Sequence, residues 1–120
     1  MEKLDASFKL FTMYFFTILF SLFFNSAFGQ IQVVHFNAEW NKDNGVDWVY
    51  KLEDVQTTSI VDIASQPDMA KKHKIAVIPT IIIFKDDEEV ARFQADLSFK
   101  MVATREEVQD EINNILMSDF

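Results

Sequence analysis

Few side chains in this chain are equipped for chemistry, and none is a thiol: the sequence holds two His and no Cys. His35 and His73, with Glu39 and Asp62, are the acid–base or metal-binding candidates, yet no HxxxH, HxH or closely spaced His/carboxylate cluster joins them. His35 sits inside an apolar run and reads as a hydrogen-bonded core histidine. His73 reads as a solvated residue at a helix end. Ser59, Ser65 and Ser98 lack the strand-turn-helix setting that exposes a nucleophilic serine. The acidic run Asp86, Asp87, Glu88 and Glu89 lacks calcium-loop spacing and reads as a solvated hairpin tip. These residues call for no cofactor, no metal and no catalytic assignment. The stretch with chemical character is 33–44, VVHFNAEWNKDN, where an apolar run leads through Trp40 into Asn41, Lys42, Asp43 and Asn44.

The elements that must position this stretch follow from periodicity. Val33, Val34 and Phe36 are β-branched or aromatic with little polar interruption, which suits a strand buried on both faces of a sheet. Asn41, Asp43 and Asn44 can accept from free backbone N–H groups, and Val46, Trp48 or Val49, and Leu52 recur at helical spacing, so a helix is predicted directly after the strand. Residues 59–64 alternate as a second strand. Ser65, Gln66, Pro67 and Asp68 turn into a short helix over 68–74, with Asp68 near its start and Lys71, Lys72 and Lys74 near its end, as the helix dipole favours. Residues 80–84, TIIIF, and 89–95 form a hairpin around the acidic turn. Thr104 with Glu107 makes a capping box, and Val108, Ile112, Ile115 and Leu116 form one apolar stripe on a final helix. The order is β-α-β-α-β-β-α, an α/β fold with a four-stranded mixed sheet flanked by helices.

The first 29 residues have a different character. Lys3 and Lys9 oppose Glu2 and Asp5, residues 10–24 are 15 positions without a charge, and Ser26, Ala27 and Gly29 put small side chains before Gln30. About 20 apolar residues are expected of a span, so the segment reads as a signal peptide over 1–29 with the folded domain at 30–120. An uncleaved membrane anchor is the alternative. Export to a periplasm or to the exterior is expected, with no membrane association once the leader is removed. The 120-residue chain has a net charge of −8, unchanged by loss of those two acidic and two basic side chains. That balance argues against binding nucleic acid or anionic membranes, which calls for basic patches. With no Cys, thiol usage says nothing about redox compartment.

Ala38, Glu39 and Trp40, closing a buried strand, resemble the segment that precedes the Cys-x-x-Cys of thioredoxins; here Asn41, Lys42, Asp43 and Asn44 occupy the four following positions. Residues 75–85, IAVIPTIIIFK, resemble that family's Ile-Pro-Thr strand, in which the proline is cis. With Gln66 and Pro67 the similarity runs over about 33–97 in the family's order. It implies a minimal thioredoxin-like fold without the leading strand and helix of full-length members. It also places Asn41 and Asn44 where the reactive sulfurs would be, and His35 where the family keeps a general-base carboxylate.

Thiol–disulfide exchange needs a thiolate to attack and a second sulfur to resolve the mixed disulfide, and asparagine amides do neither. What the resemblance leaves is the binding surface, where a substrate peptide lies beside the cis-proline and pairs with main chain. The expected function is therefore a redox-inactive exported module that binds a polypeptide through Trp40, Asn41, Lys42, Asp43, Asn44, Ile78, Pro79 and Thr80. An oxidoreductase acting with external thiols and a structural subunit of an envelope assembly are the alternatives. Asp96 falls near a position the family fills with glycine, and a side chain there is expected to narrow the groove.

Overall fold

The computed structural model describes residues 30–118; the expected signal peptide over 1–29 lies outside them. The elements are β1 (Ile31–Asn37), two 3-10 turns (Glu39–Asn44 and Asp47–Lys51), β2 (Thr57–Asp62), α1 (Pro67–Lys72), β3 (Thr80–Lys85), β4 (Glu88–Gln94) and α2 (Arg105–Met117). The sheet order is β2-β1-β3-β4, with β2 parallel to β1 and the other neighbours antiparallel. Among the described residues no helix is long and apolar enough to cross a membrane.

β1 is central because both its faces are covered. Ile31 and Val33, with Ile81 and Ile83 of β3, point to one side, where Val46, Val49, Leu52, Val108 and Ile112 close the core under α2. Phe36, with Ile82 and Phe84, points to the other, against Val61, Met69 and Ile75. The period-two alternation of a strand sorts these side chains between the faces. α2 starts as predicted: Glu107 N–H donates to Thr104 Oγ1 (3.2 Å), and the stripe Val108 and Ile112 is fully buried.

The helix predicted over 41–52 is replaced by the two 3-10 turns, broken at Gly45. Asn41 lies outside the helical region (φ −112°, ψ 18°), and Ala38 and Val46, which precede the turns, supply no side-chain cap. The amides that might have capped a helix bond to one another and to a distant loop, a competition that favours turns over helix. Gly45 suits the break, since a Cβ there would meet the Lys42 carbonyl at 3.0 Å.

β2 and α1 begin two and one residues earlier than predicted. β2 starts once Gln56 has paired with Ile31 (Gln56 N–H to Ile31 O, 2.9 Å; Ile31 N–H to Gln56 Oε1, 2.8 Å), and it ends where the Asp62 carboxylate accepts from Ala64 N–H (2.9 Å). Pro67 takes a first-turn position in α1, where its missing N–H costs nothing. Arg92 of β4 closes the other end, donating to the carbonyls of His73 (2.6 Å) and Lys74 (3.0 Å) while gripping Glu89 (2.7 Å). The hairpin tip has Asp86 and Asp87 both at positive φ (51° and 68°), the two-residue turn whose twist matches the strands.

Candidate functional site

β1 delivers its last residues, Phe36 and Asn37, to the end of the sheet where the first 3-10 turn begins. That turn lifts Trp40 into solvent, 66% exposed, and turns Asn41 inward, 5% exposed. Asn41 is then held on every side. Its Nδ2 donates to Asn37 Oδ1 (3.1 Å) and to the Phe99 carbonyl (3.2 Å), while its Oδ1 accepts from Asn44 Nδ2 (2.9 Å). Asn37 Nδ2 returns a bond to the Asn41 carbonyl (3.2 Å). Both amide hydrogens of Asn41 are therefore used, and three asparagines with one loop carbonyl form a closed neutral network.

The loop that meets Asn41 joins β4 to α2. Asp96 organises it: its Oδ1 accepts from Ser98 Oγ (2.6 Å), Ser98 N–H (2.9 Å) and Lys100 N–H (3.2 Å), and Asp96 N–H donates to the Lys100 carbonyl (3.0 Å). The Ser98 hydroxyl first, and these amides after it, hold the Asp96 carboxyl below the usual carboxylate range. The expectation that Asp96 narrows a groove is thus corrected: its carboxylate is turned into its own loop. Phe99, at φ 65°, is the residue that comes over the site. Its ring meets Trp40 edge to face at 5.2 Å, a favoured aromatic geometry.

Of the sequence-predicted residues, Trp40, Asn41 and Asn44 are brought together. Lys42 is exposed and pairs with Glu39 at 3.4 Å, a surface contact of small energetic weight, and Asp43 is exposed. The Ile78–Pro79 peptide is cis. Ile78, Pro79 and Thr80 are buried: the Thr80 hydroxyl donates to the Val77 carbonyl (2.6 Å) and the Pro79 carbonyl accepts from Ala95 N–H (3.0 Å). Ala95 opens the same loop that carries Phe99 to Asn41, so this loop spans both halves of the site. Asn37 and Phe99 were outside the sequence expectation. The only signal for them is the Asp96–Ser98 pair, which marks a side-chain-closed turn without saying what it approaches.

The two histidines differ. His35 is 3% exposed; Val46 N–H donates to its Nε2 (3.4 Å) and its Nδ1 has no partner. Burial pushes its proton affinity down, against the pull of the Asp47 charge. His73 is not the solvated helix-end residue expected. Its ring is half-buried, 5.6 Å from Phe36 and 5.3 Å from Phe84, because the apolar face beneath α1 reaches the helix end. Among the described residues no group of three or more His, Asp or Glu could hold a metal.

No family model matches the sequence. Over 45 residues it is 40% identical to thioredoxin Y1, chloroplastic, of Arabidopsis thaliana, a match covering 38% of this chain and 26% of that protein. The architecture agrees more widely. Thioredoxin-2 of the malaria parasite superposes with a TM-score of 0.55 at 19% identity, over 72% of this chain and 84% of the other. A mutant thioredoxin from Halobacterium salinarum gives 0.57 at 17% identity over 72% and 75%. Thioredoxin 1 of Thermosipho africanus gives 0.55 at 18% identity, over 73% and 97%. This is a thioredoxin-like fold. The chain has no cysteine, and the end of β1 leads into the amide network of Asn37, Asn41 and Asn44.

Proposed function

We propose that the protein is a redox-inactive, exported thioredoxin-like module that binds a polypeptide at the Trp40 end of the cis-proline groove. The single observation that carries this reading is the closed Asn37–Asn41–Asn44 network against the Phe99 carbonyl, topped by the exposed Trp40–Phe99 pair. A network with both Asn41 amide hydrogens already bonded offers no nucleophile and no proton to a disulfide. The ring pair above it offers apolar area with an indole N–H at its edge, the combination that anchors protein partners. Lys42, Asp43 and Asn44 form the polar rim. Ile78, Pro79 and Thr80 form the floor that fixes the shape of the groove.

The test is partner capture from the exported fraction with the wild-type chain and with Trp40→Ala. A partner retained by the wild type and lost by Trp40→Ala supports the site. An unchanged partner set removes Trp40 from it. An insulin-disulfide reduction rate above the thiol-only background would remove the redox-inactive half of the proposal.

A further inference from the structure

We propose that the outer edge of β2, with the pocket beside its C-terminal end, takes an extended basic segment of another polypeptide. The two edges of the sheet are built differently. β4 carries Glu88, Glu89 and Arg92, and its pairing with β3 is interrupted by a register shift between Ile83 and Phe84. Charges and bulges of this kind keep a sheet edge from accepting another strand. β2, Thr57–Asp62, has an unbroken register with β1, no Lys, Arg or Pro, and no second neighbour among the described residues. Ile63 N–H donates to Asn37 O (2.9 Å) in the register that pairs His35 with Ile60, so by alternation the main-chain groups of Ser59 and Val61 face β1 and those of Thr58 and Ile60 face outward.

The pocket at the end of this edge says what kind of segment fits. It has a volume of about 190 Å³ and is lined by Tyr50 and Ile60, which are 60% and 51% exposed, and by Asp47 and Asp62. Glu39 and Lys42 also line it and neutralise one another, leaving the two aspartates to set the sign. This space is below the roughly 300–1,000 Å³ of small-molecule sites and suits one long side chain. An aromatic and an aliphatic wall for the stem, with carboxylates for the head, match Lys or Arg. His35 lines the same pocket. Its Nε2 accepts from Val46 N–H and its Nδ1 is buried, so it gives the pocket ring surface and no hydrogen bond. A second copy of the chain, with its own net charge of −8, is a poor occupant.

The probe is a seven-residue alternating Val/Lys peptide, with a Val/Glu peptide of the same length beside it, titrated into the full chain at low salt. Amide exchange is read residue by residue. The expected result is protection of β2 amides and shifts at Tyr50 with the Val/Lys peptide and none with Val/Glu. Asp47→Asn with Asp62→Asn keeps the size of both side chains and is expected to weaken binding about tenfold, roughly 1.4 kcal/mol, with an unchanged circular dichroism spectrum. Trp40→Ala should leave this binding intact, which separates it from the function proposed above. Binding of both peptides alike, no β2 protection, or protection that grows with protein concentration in the absence of peptide would each overturn the proposal.

Discussion

Asn41 is a structural residue whose side chain is spent on hydrogen bonds within the fold. Replacing it by Ala deletes its three side-chain bonds and leaves the buried Asn37 amide and the Phe99 carbonyl short of partners. Orphaned buried groups of this kind cost about 1–3 kcal/mol each, so Asn41→Ala is expected to lower stability by about 2–3 kcal/mol in urea unfolding. Asn44→Ala, which removes one bond at a half-buried site, should cost about 1 kcal/mol or less. Equal effects of the two would contradict the network.

His35 gives a pH dependence. Burial lowers its proton affinity in the folded state, so below the ordinary value of 6.5 the unfolded chain binds the proton first. Stability from the neutral ring is present above that value and is lost as pH falls through the window down to the depressed folded pKa. Urea unfolding at pH 7.5 and 5.5 should show a larger loss for wild type than for His35→Gln. His73 is shifted down as well, by burial and then by Lys72, so its contribution has the same sign. Trp40 and both site asparagines were legible in the sequence because they follow a recognisable strand end. Their partners were not: Phe99 lies 58 positions from Asn41, in a stretch with no periodicity.

At the scale of elements, the strands were legible because β-branched runs and alternation reach the sheet directly. Their ends moved by two residues where side chains, Gln56 and Asp62, decided the pairing. The crossover after β1 was misread as a helix because apolar spacing is the same whether a segment forms one helix or two 3-10 turns broken at Gly45. What closes α1 was also hidden, since Arg92 reaches it from β4. Arg92→Gln should free the His73 and Lys74 carbonyls and cost about 1–2 kcal/mol. Amide exchange in α1 should speed up while that of β3 barely changes. A uniform acceleration through the sheet would mean that Arg92 acts globally. At the other helix, Thr104→Ala removes the cap to Glu107 and is expected to cost about 1 kcal/mol.

For the whole molecule, the sheet is a rigid partition. One face packs against α2 through Val108 and Ile112, the other against α1 through Phe36 and Ile82, and the amide network and the Trp40–Phe99 pair sit where β1 leaves it. Ile112→Ala opens the larger core and should cost about 2–5 kcal/mol, with loss of the site following from loss of the fold. The proposed export predicts a mature chain beginning at Gln30, read by mass spectrometry of the exported protein. The central claim is that this thioredoxin-like fold holds a partner polypeptide at the rim of a sulfur-free site. Its most direct measurement is photo-crosslinking in the producing cell from a benzoylphenylalanine placed at Lys42, compared with one at Glu111 on α2. A defined adduct from position 42 that Trp40→Ala abolishes, with none from position 111, is the predicted result. Adducts from 111 alone, or a position-42 adduct indifferent to Trp40, would contradict it.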